Sequence, residues 1–309
     1  MRRARSSSER PHLTPGSSSV ICNMNELERA IMTSSCLDCA SIPKVSEAGC
    51  IVDRPNGPVQ IMHNGLQVKA GGYHGDWMAQ IIRSLQGHHE PQEELVFHHI
   101  LRYARHNSLI VELGAYWSYY SLWYLNEIPG SSAICIEPDP NNLRLGQYNA
   151  SLNGLEDRID FHNGCVGGES RERVELRCES DGQMHTLPCL DMAAVSRLAN
   201  ERTIEILHMD VQGAELPFIR SMVSAAEHKR LRFVIVSTHH SSISGSRTTH
   251  VDCRQSLLEL GGVILAEHDV QQSYSGDGLI AASFFPEDRR IELPPMSLNK
   301  AHLSLFPEL

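Results

Sequence analysis

No stretch of the 309-residue sequence approaches the roughly 18–20 consecutive apolar residues that a membrane-spanning helix needs. The N-terminus, MRRARSSSERPHLTPGSSS, is charged but lacks the apolar segment of a secretory leader. It shares an Arg- and Ser-rich composition with organellar transit peptides, yet reads as a solvated, disordered tail over residues 1–24. Positive charge is scarce. Lys and Arg number 27 against 37 Asp and Glu, a formal net charge of −10. Residues 1–20 hold four arginines against one glutamate, a net +3, so the rest carries −13. A chain this acidic has no general electrostatic reason to lie on nucleic acid or on an anionic membrane. A disulfide framework is lacking too: the nine cysteines are odd in number and scattered, which suits a reducing cytoplasm. One CxxC is present, Cys36 and Cys39, but no second pair completes a four-ligand zinc site.

Apolar residues make up 41% of the chain and charged residues 21%, enough for a sizeable core. The length suits two domains or one large decorated α/β domain. The spacing predicts an N-terminal cap or lid segment over 25–90, with a small hairpin around 51–72 and a short helix over 76–86. Pro91 then opens a helix whose first turn carries Glu90, Glu93 and Glu94 against the positive dipole end. The neighbouring His88, His89 and His98 read as solvated. From residue 109 strands and helices alternate. Strands are expected at 109–113, 133–137, 159–162, 205–210, 232–237, 262–267 and 279–285, with an irregular insertion before the fourth. That alternation predicts a mostly parallel sheet with helices on both faces over 91–290, followed by a Pro-rich C-terminal tail, 291–309.

In such sheets ligands bind beyond the carboxyl ends of the strands. The first strand ends in Glu112-Leu113-Gly114-Ala115-Tyr116-Trp117-Ser118. A dinucleotide-binding turn needs three glycines, and only Gly114 is there. This argues against a nicotinamide-dinucleotide oxidoreductase. Glu137, 23 residues past Gly114 at the end of the second strand, is placed to accept both hydroxyls of a ribose. Glu112 would face a cationic or ammonium group. A ligand with a ribose, a sulfonium and an amino group, but no phosphate, fits: S-adenosylmethionine (SAM). Asp210 ends the fourth strand and His239 the fifth, on the side where such a ligand lies. Histidine's near-neutral pKa makes His239 a candidate base for a substrate hydroxyl. His239, His240, His250 and Asp210 lack fixed metal-ligand spacing, so no metal is expected. Six aromatic residues between Tyr116 and Tyr124 read as packing of the first helix, with Tyr116 as the exception in the turn.

The strings VELGAYWSYYS, IEPDPNN, NASLNG and HMDVQGAEL together resemble the FkbM-type family of class I SAM-dependent methyltransferases, over roughly residues 90–285. The resemblance implies a Rossmann-like seven-stranded sheet with a reversed last strand. It also implies O-methyl transfer to a hydroxyl of a sugar, polyketide or other small metabolite. Carried across, Glu112, Gly114 and Tyr116 fall in the cofactor loop, Glu137 is the ribose acid, Cys165-Val166 flanks adenine and Asp210 lies beside the methyl donor. The sequence departs from the family pattern at Tyr116, where Asn is usual, and at Ser118, where a second Gly is usual. The fifth strand ends Ser237-Thr238-His239 where Glu-x-His is common. Bulk at Tyr116 and Ser118 leaves a second reading open, a non-catalytic methyltransferase-fold module for binding or assembly.

Overall fold

The computed structural model describes residues 25–307. The expected tail over 1–24 lies outside them. The cap begins with α1 (Glu26–Ser35), whose N-cap Asn25 and Glu28 form a reciprocal capping box. Strands β1 (Ile51–Arg54), β2 (Gly57–Ile61) and β3 (Gln67–Lys69) then make a small antiparallel sheet. Helix α2 (Asp76–Ser84) and helix α3 (Pro91–Leu101) follow, the latter with proline in its first turn.

The main sheet is built from β4 (Leu109–Leu113), α4 (Tyr119–Glu127), β5 (Ser132–Glu137), α5 (Pro140–Leu152) and β6 (Ile159–Asn163). The chain leaves it through β7 (Cys165–Val166), β8 (Arg171–Arg177), β9 (Met184–Leu190) and α6 (Met192–Leu198). It returns with β10 (Ile204–Met209), α7 (Glu215–Arg220), α8 (Val223–Glu227) and β11 (Leu231–Thr238). The short α9 (Ser241–Ser244), α10 (Thr249–Glu259), β12 (Val263–His268) and β13 (Gly278–Ser283) complete it. The order is β12-β13-β11-β10-β4-β5-β6. β6, β5, β4, β10 and β11 run parallel, and β13 is antiparallel to both β11 and β12. This is the expected α/β class with a reversed last strand.

The apolar strands are buried on both faces, as parallel strands under helices must be. Ile110, Cys135, Ile206 and Ile235 face one core, Val111, Ile134, Leu207 and Val234 the other. The cap does not have a core of its own. Cys39, Met62, Leu66 and Val68 pack in the same cluster as Ile110 and Trp123. The segment expected to be an irregular insertion instead folds as a second three-stranded sheet, β7-β9-β8. No described helix is long and apolar enough to cross a membrane, and the cysteines of the described residues are free.

Strand order reverses between β4 and β10. Successive units run outward from β4 to β6 on one side and from β10 to β11 on the other. A crevice opens at this switch point, beyond the carboxyl ends of both strands.

Candidate active site

At that crevice lies a cavity of about 530 Å³, lined by the ends of β4, β5 and β10 and by the β7–β9 sheet. Gly114 makes it possible. Its φ is +73°, and a Cβ there would sit 1.7 Å from the Asp210 carbonyl oxygen. Only glycine lets β4 turn this close against β10. The turn continues with two more left-handed residues, Tyr116 at φ 42° and Ser118 at φ 61°. These are the two positions at which the sequence departs from the family pattern of Asn and Gly, both of which adopt this conformation easily. The Ser118 side chain is accommodated by a second departure from bulk. A Cβ on Gly146 of α5 would lie 2.4 Å from Ser118 Oγ, so Gly146 leaves the space the hydroxyl occupies. That hydroxyl is fully buried with no hydrogen-bond partner. Tyr116 does not fill the cavity. It lines the wall and packs against Tyr73 (5.0 Å between ring centres) and His74 (5.3 Å).

Glu137 holds this turn in shape. Its carboxylate accepts the amides of Tyr116 and Asp139, each at 2.9 Å. It is 5% exposed, and burial pushes its pKa up to about 7 despite the two amides. Each oxygen keeps a lone pair for a further donor. Asp139 caps α5, accepting the Asn141 amide at 2.9 Å.

Glu112 borders the cavity but differs from its expected orientation toward a free cation. Its carboxylate accepts the Ser121 amide at 3.0 Å, in the first turn of α4, and burial raises its pKa. The N-terminus of α4 is thereby already engaged by a carboxyl group. Cys165 and Val166 line the cavity on the wall formed by β7. The same wall carries Leu176, Arg177, Cys178 and Glu179 from the β8–β9 ribbon, which the sequence reading missed. Its signal was the alternation of Val174 and Leu176 with charged residues, weak because β8 is mostly exposed.

A second cavity, about 180 Å³, adjoins the first. The two share Tyr73, His74, His89, Glu90, Asp210 and Gln212. Its other walls come from Arg29 and Thr33 of α1, Trp77 of α2, Asp277 before β13 and the C-terminal Leu305 and Phe306. The C-terminal segment, expected as a Pro-rich tail, thus lines a cavity through Leu305 and Phe306.

His239 lies at the floor, 4% exposed, among three carboxylates. Its Nδ1 is 2.6 Å from Glu215 Oε1, and its Nε2 is 3.1 Å from Asp210 Oδ1 and 3.6 Å from Asp277 Oδ1. Burial alone would lower its pKa, but the charges of Asp277, Asp210 and Glu215 raise it well above 6.5. That direction favours the protonated ring, and both ring nitrogens of this expected base face carboxylates. Asp210 is held below its usual range, because His239 outweighs the opposing effect of burial.

The other histidines also differ from expectation. His88 and His89 are buried at 0% and 2%, not solvated, and their partner Glu94 is 0% exposed. Glu94 pairs with His88 Nδ1 and accepts the His89 amide at 2.7 Å. His89 Nε2 is 3.2 Å from Glu90, and its pKa rises to about 10, since Glu90 and Glu94 outweigh burial. Glu93 is likewise no solvated first-turn charge. It is 2.5 Å from His208 Nε2 of β10 and accepts the Ser237 hydroxyl at 2.9 Å, tying α3 to the sheet. His208 was missed, since its partner lies 115 residues away in sequence. His98 is half-buried. His240 and His250 turn to Ser242 and Thr238 and do not join His239. Among the described residues the one group close enough to hold a metal is His63, His88 and Glu94. Its two imidazoles stack 17° from parallel at 4.2 Å; His63 Nδ1 lies 3.0 Å from the Tyr119 hydroxyl, His88 Nδ1 pairs with Glu94, and His88 Nε2 is buried without a hydrogen-bond partner. Tyr119, Tyr120, Trp123 and Tyr124 are buried, the expected packing role.

No curated protein sequence matches the chain. Among solved structures it is similar to a METTL16 MTase domain, with 16% identity over 63% of this chain and 68% of that one, at a TM-score of 0.42. It is also similar to the O-methyltransferase from Bacillus cereus in complex with SAH (14% identity, 62% and 79% covered, TM-score 0.38). A third is M. capricolum TrmK in complex with S-adenosyl-homocysteine (11% identity, 67% and 73% covered, TM-score 0.39). A family model does match: the Methyltransferase FkbM domain, over residues 112–264. That segment runs from Glu112 beside Gly114, through Glu137, Asp210 and His239, to β12, and over it the chain matches the FkbM methyltransferase domain.

Proposed function

We propose that the protein is a SAM-dependent O-methyltransferase acting on a hydroxyl of a small metabolite, a sugar or polyketide type of acceptor. The observation that carries this reading is the pair of adjoining cavities with Asp210 in their common wall. A donor and an acceptor held in separate spaces that meet at one wall are placed for in-line transfer, and such positioning supplies much of the rate.

The residues of the larger cavity fit SAM. Glu137 is placed for the ribose hydroxyls, Cys165 and Val166 for the adenine, and Gly114 leaves backbone room. Asp210 and Glu90 offer negative charge toward a sulfonium and an ammonium group. A dinucleotide fits poorly. Its pyrophosphate needs free amides at a helix N-terminus, and here Ser121 already donates to Glu112. When bound, SAM supplies an electrophilic methyl group on sulfur. The protein's part is to orient, exclude water and take up one proton. Trp77, Tyr73 and Phe306 offer apolar faces to the acceptor, and the surrounding carboxylates accept from its hydroxyls. The net charge of −10 disfavours nucleic acid or an anionic membrane as the acceptor. The reading places the reaction in the cytoplasm.

The test is incubation of the full chain with methyl-labelled SAM and a library of small hydroxylated metabolites, read by mass spectrometry. Label on an acceptor oxygen supports the reading. SAM binding with label only on nitrogen or carbon acceptors would overturn O-methylation. No SAM binding at all would favour a non-catalytic module of this fold.

A further inference from the structure

Transfer to a hydroxyl releases one proton, and both ring nitrogens of His239 are turned to carboxylates. We propose that Asp277, in the loop before β13, is the proton acceptor for the substrate hydroxyl, and that His239, which bridges Asp210 and Asp277, positions them on either side of the transfer axis. This deepens the methyltransferase reading and rests on it.

The placement of the two aspartates separates their roles. Asp210 lines both cavities, whereas Asp277 lines only the smaller one. Asp210 thus faces the donor and Asp277 the acceptor. The Asp277 side chain is 29% exposed, and no hydrogen bond from the described residues reaches it; its nearest charged partner is His239 Nε2 at 3.6 Å. Its lone pairs are therefore free. Glu215, by contrast, accepts from His239 and from the Gly213 amide, and Glu90 from Tyr120. The loop is held close to the sheet by Gly276, at φ 124°, and by Gly278. A Cβ on Gly278 would lie 2.5 Å from the Thr238 hydroxyl oxygen.

The charges facing Asp277 come from four elements. Asp210 after β10 and Glu90 before α3 oppose its ionisation, while His239 after β11 and Arg29 from α1 favour it. His89, His74 and Tyr73 complete the cavity wall. Burial is the largest influence and pushes the Asp277 pKa up to about 7, so near neutral pH it is a base of useful strength. Asp210, held low by His239, is a poor one.

In the step, a lone pair on the acceptor oxygen forms the new O–C bond. The C–S bond breaks with its electron pair left on sulfur, and the hydroxyl proton passes to the Asp277 carboxylate. Neutral thioether, methyl ether and a protonated Asp277 result, and the exposed part of the carboxyl returns the proton to water.

The experiment begins without an acceptor. The full chain, labelled with 13C at aspartate carboxyls and 15N in histidine rings, is titrated by NMR with S-adenosylhomocysteine (SAH) bound, and signals are assigned with Asp277→Asn and His239→Gln. The proposal expects Asp277 to titrate near neutrality while His239 keeps both ring protons through that range. With an acceptor from the library, Asp277→Asn should lower kcat by about 10²–10⁴-fold, remove the acid limb of the pH profile and leave SAH affinity within a few-fold. His239→Gln should shift that acid limb to higher pH, which a purely structural role would not do. An Asp277 carboxyl titrating in the ordinary aspartate range, or an Asp277→Asn enzyme that keeps its rate and acid limb, overturns the proposal. Failure of SAH to bind the unaltered chain would instead strike the methyltransferase reading, and the aspartate titration remains readable in the free protein.

Discussion

The two cavities are built from different parts of the chain. The larger is made almost wholly of strand ends and turns within residues 112–264, the segment that matches the family. The smaller takes its distinctive walls from outside it: Arg29 and Trp77 in the cap, Asp277 before the last strand, and Leu305 and Phe306 near the C-terminus. A donor site can be fixed by a short, repeatable geometry, here a glycine turn, a strand-end carboxylate and the switch point of a sheet. An acceptor site must be particular to one substrate, and the smaller cavity, the acceptor site of the proposed function, is assembled from segments as far apart in sequence as Arg29 and Phe306. Alterations should therefore separate into those that weaken the donor and those that touch only the acceptor.

The largest effect is expected at Gly114→Ala. The added Cβ meets the Asp210 carbonyl at 1.7 Å from a left-handed backbone position. Overpacking with backbone strain suggests about 3 kcal/mol or more of lost stability, seen as a fall in thermal denaturation temperature and loss of SAH binding. A stable variant with unchanged affinity would show that β4 and β10 need not approach so closely.

Next is Glu137→Ala, which removes the proposed ribose acceptor and the anchor of the Tyr116 amide. Loss of charge-assisted hydrogen bonds suggests about 2–3 kcal/mol of binding, or roughly 30- to 150-fold in Kd by calorimetry. A pH dependence follows from the raised pKa. Glu137 is a carboxylate above about 7 and a neutral acid below it. Binding that needs the carboxylate is full above that pH and weakens as pH falls through it. Unchanged SAH affinity between pH 8 and pH 6 would remove Glu137 from the ribose site.

Trp77→Ala and Phe306→Ala sharpen the contrast from the other side. Each should raise the acceptor KM about 10-fold, as expected for losing one buried apolar contact surface, while SAH affinity stays within twofold. Equal losses for donor and acceptor would mean that the cavities are not separate.

The smallest effect concerns the cofactor turn itself. Ser118→Gly relieves a left-handed serine and a buried, unpartnered hydroxyl, for a gain of about 0.5–1 kcal/mol by chemical denaturation. Gly146→Ala should destabilise the natural chain and be tolerated once Ser118 is glycine. Additive effects of the two changes would deny the steric link between them.

The same division governs what could be read from the sequence. The continuous apolar runs of β4, β5, β10 and β11 announce a buried parallel sheet, and Gly114 and Glu137 fall at strand ends where ligand chemistry belongs. The β8–β9 ribbon was not legible, since a strand such as Arg171–Arg177 exposes most of its charged side chains and buries little. Pairs such as Glu93 with His208 join residues that only the fold brings together. His239 was legible in place and not in its surroundings, because Glu215 and Asp277, whose charges raise its pKa, come from two other elements. Asp277 had no motif to mark it.

Calorimetric titration of the full chain with SAM, SAH, NAD and NADP tests the central claim most directly. The account predicts single-site binding of SAM and SAH, weakened in Glu137→Ala and unaltered in Trp77→Ala, with no measurable heat from either dinucleotide. A dinucleotide that binds more tightly than both SAM and SAH would contradict it.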